Sequence, residues 1–276
     1  MTLPQPAGTA QWSPLVDTHA HIFLRDLPLA PNATHRPTHS FTAEDYLEVL
    51  DAANVRYGVI TAPSFLGTYN DYTLDALRRH DRLRGTVIVD PDADPYLLRA
   101  MANDGIVGVR YSLRRYPDTP DFTAPDYQRL LRRVRDLDWF VHLLAESEKL
   151  AVLVPLLVES GVKLVIDHFG VPDRPFAEDP GLREIFRAIE NGRTWIKLSA
   201  PYRTTGADMK ALARKFLAAA GTERLLWGSD WPWTSHENRF TYRDTIGWLE
   251  EWIPDRATRD AIDQTGLALH GFATPR

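Results

Sequence analysis

Asp17, His19 and His21 alternate along the run Val16-Asp17-Thr18-His19-Ala20-His21, a spacing that on a β-strand turns all three side chains to one face. Two buried imidazoles so placed each carry a ring nitrogen that needs a hydrogen-bond partner, a proton or a metal ion. A hydrolytic or metal centre supplies those partners; the same pair on a wet edge strand would be idle. Other groups able to join such a centre stand within or just after apolar runs. Arg110 follows Gly108-Val109, His142 lies inside Phe140-Val141-His142-Leu143-Leu144, and His168 ends Leu164-Val165-Ile166-Asp167-His168. Arg203 follows Pro201-Tyr202, and Asp230 follows Leu225-Leu226-Trp227-Gly228-Ser229.

Each of these has a plainer reading beside the chemical one. His142 suits an inward strand position, as ligand or as a satisfied core histidine. His168 precedes Phe169-Gly170 and either bonds that turn or acts as ligand, acid or substrate contact. Arg110, an interior guanidinium, needs an anion: a substrate carboxylate, or an ion pair with Asp17 or Asp167. Arg203 adds an anion clamp from a second direction. Arg114 and Arg115 are not separable by sequence, and one of them can face water. Asp230 reads as a base or ligand, because Pro232 and Trp233 argue against an immediate helix for it to cap. His35, His39, His236 and Glu237 read as surface or rim residues.

The elements that must position these groups alternate. Short β-branched runs cover Val16 to Ile22, Tyr57 to Thr61, Gly85 to Val89, Gly108 to Ser112, Phe140 to Leu144, Lys163 to His168, Thr194 to Ser199 and Arg224 to Asp230. Helical spacing covers Thr42 to Ala53, Asn70 to His80, Pro95 to Asn103, Pro125 to Asp136, Ser147 to Ser160, Gly181 to Glu190, Asp208 to Ala220, Arg239 to Glu251 and Asp255 to Leu269. Thr42, Asp94 and Ser147 read as helix starts, and Gly161 as a helix stop. Eight β–α units predict a single-domain α/β fold, a (β/α)8 TIM barrel with its functional groups at the C-terminal strand ends. A doubly wound sheet is the competing architecture, without a Gly-x-Gly-x-x-Gly after the first strand to support it. The long connection Phe23 to Phe41 predicts a lid or pocket wall. Residues 1–14 read as an extended N-terminal arm, and 15–276 as the barrel.

Composition narrows the function. The chain has 276 residues, 44% hydrophobic and 25% charged, as expected of a soluble protein. Its net charge of −5 gives no footprint for nucleic acid. The absence of cysteine removes disulfides, thiolate metal sites and a cysteine nucleophile, so any metal must use His and carboxylate. No apolar run reaches the ~18 residues of a membrane span, and no basic-then-apolar leader opens the chain, which makes cytoplasmic location the default. Tyr69, Tyr202 and Trp233 suit a flat-ring pocket or a subunit contact in a homo-oligomer equally well.

His19-Ala20-His21, Gly108-Val109-Arg110, Ile166-Asp167-His168-Phe169-Gly170 and Trp227-Gly228-Ser229-Asp230-Trp231-Pro232 together resemble the amidohydrolase superfamily, in its amidohydrolase 2 branch. Within it the chain is similar to 2-pyrone-4,6-dicarboxylate lactonase and related lactone hydrolases. The resemblance implies a hydrolase in which Asp230 activates the attacking water and His19, His21 and His168 surround the scissile carbonyl of a small acidic lactone. Arg110, Arg114 or Arg115, and Arg203 would hold the substrate's carboxylates. It leaves the cofactor open: pyrone-dicarboxylate lactonase works without metal, whereas sulfomuconolactone hydrolases and the branch's decarboxylases use zinc or a similar divalent ion. A metal here would fall to His19, His21, His142 and Asp230. The alternatives are a metal-dependent decarboxylase of a small unsaturated or aromatic acid, and a barrel that binds acids without turning them over.

Overall fold

Eight parallel strands pair in the order of the sequence, which excludes the doubly wound sheet and makes a (β/α)8 barrel. The computed structural model describes residues 12–205 and 207–273. The strands are β1 (Val16–Ala20), β2 (Tyr57–Ile60), β3 (Leu83–Val87), β4 (Ile106–Ser112), β5 (Phe140–Leu144), β6 (Lys163–Ile166), β7 (Thr194–Leu198) and β8 (Leu225–Trp227). The helices are α1 (Ala43–Ala52), α2 (Asp71–Arg79), α3 (Pro95–Asn103), α4 (Pro125–Asp136), α5 (Ser147–Glu159), α6 (Pro180–Ile189), α7 (Met209–Ala220), α8 (Tyr242–Trp252) and α9 (Arg256–Leu269). Just past β8, the chain closes the ring onto β1: Asp230 N–H donates to His19 O at 2.8 Å and His21 N–H to Trp231 O at 2.7 Å.

Local chemistry explains most of the helix starts. Thr42 and Asp45 form a reciprocal capping box on α1, and Asp94 caps α3 ahead of Pro95. Ser147 departs from its expected capping role. It is already inside α5, and its hydroxyl donates to Asp179 at 2.5 Å and accepts Gly181 N–H at 2.9 Å, tying α5 to the start of α6.

The barrel's lower end is apolar and plugged by α9. Leu267 packs with Val16 and Val59, and Leu269 packs against Phe140, Val165 and Leu226. Most of the expected N-terminal arm, residues 1–11, lies outside the described residues. Its described end is anchored rather than loose: Trp12 is buried with its indole N–H on Asp260 at 2.7 Å. Among the described residues no helix is long and apolar enough to cross a membrane.

At the upper end β6 and β8 stop earlier than expected, at Ile166 and Trp227. The reason is backbone geometry. His168 (φ 48°), Phe169 (φ 59°) and Asp230 (φ 59°) adopt left-handed conformations that break the ladder and turn their side chains over the barrel mouth. The Phe23–Phe41 connection is pinned at its base, where these two residues exchange both backbone hydrogen bonds at 2.8 Å. Such a closed loop can stand as a wall over the mouth.

Candidate active site

β1 carries an irregularity in its pairing with β2 between Asp17 and Ala20, and this overturns the expected three-residue face. Asp17 turns away from the histidines towards α8. It accepts Ser229 N–H at 2.9 Å, the Ser229 hydroxyl at 2.5 Å and the Tyr242 hydroxyl at 3.0 Å. Burial raises its carboxyl despite these bonds. Asp17 therefore braces β1 against β8, and only His19 and His21 enter the mouth.

Both rings are held from behind. His19 Nδ1 lies 3.0 Å from Asp167 Oδ1, and His21 Nδ1 lies 2.7 Å from the carbonyl oxygen of Thr61. Burial lowers the pKa of each ring, so both are neutral near pH 7 with a single proton. Acceptors at Nδ1 keep that proton there. The two Nε2 atoms then face each other 3.2 Å apart as bare lone pairs, each 3.5 Å from Asp230 Oδ1.

Asp230 completes this arrangement. Its Oδ2 accepts the Tyr202 hydroxyl and Arg203 Nε, each at 2.5 Å, while the buried Oδ1 has no hydrogen-bond donor. Burial would raise the carboxyl, but its neighbours, led by the Arg203 guanidinium, outweigh it and hold it well below the usual carboxylate range. His168 stands opposite, Nε2 3.9 Å from Asp230 Oδ1 and Nδ1 2.8 Å from the Ser199 hydroxyl. Burial pushes its pKa down to about 4, so it too is neutral.

Behind this layer lies a second one. Asp167 Oδ1 meets His142 Nε2 as well as His19, and Oδ2 accepts Arg110 Nη2 at 3.2 Å. Lys197, fully buried, donates to Thr18 O at 2.6 Å and sits 3.4 Å from His19 Nδ1 and 3.9 Å from Asp167 Oδ1. Burial lowers its pKa to about 8 against the pull of Asp167. His142 is thus inward-facing as expected, but it is engaged by Asp167 and stands behind His19, outside the convergent group of His19, His21 and Asp230. Of the four residues expected to gather around a metal, His19, His21 and Asp230 come together and His142 stands apart from them. His19, Asp167 and His168 form a second group of donors close enough for one ion.

The pocket above has a volume of about 100 Å³. Arg110, Arg114, Arg115 and Arg203 all line it, against Asp230 as the carboxylate. Arg114 is half-buried with Nη2 on Arg203 O at 3.1 Å, whereas Arg115 is exposed. Arg110 pairs with Asp167, one of the counter-ions expected for it, and also lines the pocket. His35 differs from expectation: it is half-buried on the pocket wall, with Nδ1 3.2 Å from the Ser235 hydroxyl. His39 is exposed. His236 is half-buried against the Tyr202 ring, and Glu237 accepts Ser235 N–H at the rim.

Sequence reasoning missed Lys197 and gave Asp167 no role beyond a counter-ion. Lys197 had a signal: it alternates with Trp195 and Ser199 on a strand whose intervening residues, Ile196 and Leu198, are apolar. Tyr202 was read as a rim aromatic rather than as a donor to Asp230.

Residues 16–263 match the amidohydrolase family, in its amidohydrolase 2 branch. A 4-sulfomuconolactone hydrolase of Rhizobium radiobacter is 27% identical over 261 residues, covering 89% of this chain and 86% of its own. A 2-pyrone-4,6-dicarboxylate hydrolase of Comamonas testosteroni is 26% identical over 278 residues, covering 94% and 87%. The crystal structure of a probable 2-pyrone-4,6-dicarboxylic acid hydrolase from Acinetobacter baumannii, with citric acid bound, superposes with a TM-score of 0.88 at 33% identity over 94% of this chain and 99% of that one. With the family match spanning the barrel from the first strand to the last helix, the chain belongs to the amidohydrolase family.

Proposed function

We propose that this protein is a lactonase that opens a small, carboxylated lactone by attack of water on the ring ester carbonyl. The observation that carries the reading is the pairing of a hydrolytic cluster with an anion clamp. Asp230, His19 and His21 converge at the foot of a pocket walled by four arginines. An acidic chain that collects guanidinium groups around one small cavity selects an anionic ligand there. Relatives that act on 2-pyrone-4,6-dicarboxylate and 4-sulfomuconolactone agree in substrate class.

The cluster also fits a divalent metal. Three lone pairs 3.2–3.5 Å apart repel unless a cation lies among them, and Asp230 Oδ1 has no donor to relieve it. Those spacings match the about 3.3 Å between neighbouring ligands of a tetrahedral zinc ion with bonds of ~2.0–2.1 Å. His19, His21 and Asp230 would hold the ion, leaving a coordination position open. When bound, zinc or a similar ion would supply Lewis acidity that eases deprotonation of water and polarises the carbonyl.

The chain's own groups account for the remaining steps. Arg110, Arg114 and Arg203 hold the substrate's carboxylates and fix the ring carbonyl over Asp230. Asp230 accepts a proton from water as its oxygen bonds to the carbonyl carbon. With Ser199 donating to Nδ1, His168 presents Nε2–H towards the oxyanion. The ring C–O bond then breaks, and the proton held by Asp230 passes to the departing ring oxygen.

The test is a pH-stat assay of purified protein, with and without added zinc, on 2-pyrone-4,6-dicarboxylate, 4-sulfomuconolactone and muconolactone. One equivalent of base consumed per ring opened is expected for at least one of them. No turnover of any under either condition, or release of CO2 in its place, would overturn the reading.

A further inference from the structure

Asp167 touches both halves of the site without lining the pocket. Oδ1 faces His19 Nδ1 at 3.0 Å and also meets His142 Nε2; Oδ2 accepts Arg110 Nη2 at 3.2 Å. Its carboxylate and both imidazoles are fully buried, and Arg110 is 4% exposed. A carboxylate only accepts, so every nitrogen facing it must donate. Lys197 competes for His19 Nδ1 as a donor from 3.4 Å, but its shorter bond goes to Thr18 O at 2.6 Å. The closer carboxylate therefore sets the ring.

We propose that Asp167 is a positioning residue that couples the hydrolytic cluster to the anion clamp. One oxygen fixes His19 in the tautomer that leaves Nε2 bare towards His21 and Asp230. The other holds the Arg110 fork at the pocket wall. The Arg110 half rests on the lactonase reading; the tautomer half stands on geometry alone. A purely structural role, neutralising Lys197 and Arg110, would stabilise the fold without dictating which nitrogen of His19 carries the proton.

Asp167→Asn separates these roles because it keeps the shape and replaces one acceptor by a donor. If the amide NH2 faces the histidines, His19 must accept at Nδ1 and its proton moves to Nε2, where it blocks the cluster. If the NH2 faces Arg110, the guanidinium is expelled. The test combines ¹⁵N NMR of labelled histidines in chelator-treated full-length protein, zinc binding by titration, and steady-state kinetics. Wild type is expected to show His19 protonated at Nδ1. The variant is expected to show either Nε2–H on His19 with zinc affinity and kcat each down at least tenfold, or an unchanged tautomer with KM up at least tenfold.

A wild-type His19 protonated at Nε2 would overturn the proposal. So would a variant that keeps tautomer, zinc affinity, kcat and KM within threefold. Should Asp167→Asn fail to fold, the wild-type spectrum still decides the tautomer half. Absence of lactone turnover by wild type would strike the proposed function while leaving the NMR and zinc readouts intact.

Discussion

His19 Nε2 and His21 Nε2 stand 3.2 Å apart, and neither ring has a proton to place between them, because Asp167 and the Thr61 carbonyl draw each one to Nδ1. A buried contact between two acceptors is unfavourable unless something positive joins it. The purified protein is therefore expected to carry about one equivalent of zinc or a similar ion. Adding zinc at ~100 times its dissociation constant to chelator-treated protein should stabilise it by ~2.7 kcal/mol. The check is a thermal melt with and without zinc. His21→Gln should abolish most of the shift, and a wild-type melt indifferent to zinc, manganese and cobalt would leave the contact without its cation.

Asp230 has one oxygen committed to Tyr202 and Arg203 and one left open to the cluster. Asn in its place can accept at one position but cannot take a proton, and its NH2 would either meet the Tyr202 and Arg203 donors head-on or occupy the two Nε2 lone pairs. Asp230→Asn is expected to lower kcat by ~10³-fold or more, within the range general-base groups supply. The folded state should persist by circular dichroism. Turnover within tenfold of wild type would remove Asp230 from the proton-accepting role.

Arg114 is half-buried in the pocket wall, with Nη2 on the Arg203 carbonyl and, among the described residues, no carboxylate within ion-pair distance. Its guanidinium is free to meet substrate. Arg114→Ala is expected to raise KM by roughly 10- to 100-fold, the worth of one hydrogen bond to a charged group, with kcat less affected. A substrate monoester lacking the matching carboxylate should lose a similar factor with wild type and little more with the variant. Additive losses would show that Arg114 and that carboxylate do not meet.

The barrel was legible because β–α alternation is a long-range repeat, and strand parity correctly turned Arg110 and His142 inward. Parity failed at Asp17, because a register irregularity lies between it and Ala20 and separates its face from that of the two histidines. No local pattern announces such an irregularity. His168 and Asp230 were placed at strand ends, yet the strands stop short of them, since positive φ at a histidine and an aspartate is paid for by contacts distant in sequence. The second layer was hidden for a related reason. Whether His142 meets a metal or Asp167 depends on a neighbour 25 residues away, just past the end of the adjacent strand, which only packing decides.

Asp263 gives a stability prediction far from the chemistry. Its buried carboxyl accepts Leu15 N–H at 2.7 Å and Val16 N–H at 3.1 Å, holding the entry to β1 against α9. Burial pushes its pKa up to about 7, with those two amides opposing and Asp260 adding to the rise. Between the unfolded value near 3.8 and about 7 the folded state binds the extra proton, so this group's contribution falls as pH rises through that window. Between pH 5.5 and 8.5 the loss is about 2 kcal/mol, or roughly 4–8 °C in Tm for a chain of this size. Asp263→Asn keeps the shape and cannot ionise. Its Tm relative to wild type should therefore climb by that amount across the interval, measured by parallel melts at several pH values. A difference that stays constant with pH would mean that Asp263 ionises near its ordinary value and carries its charge within the fold.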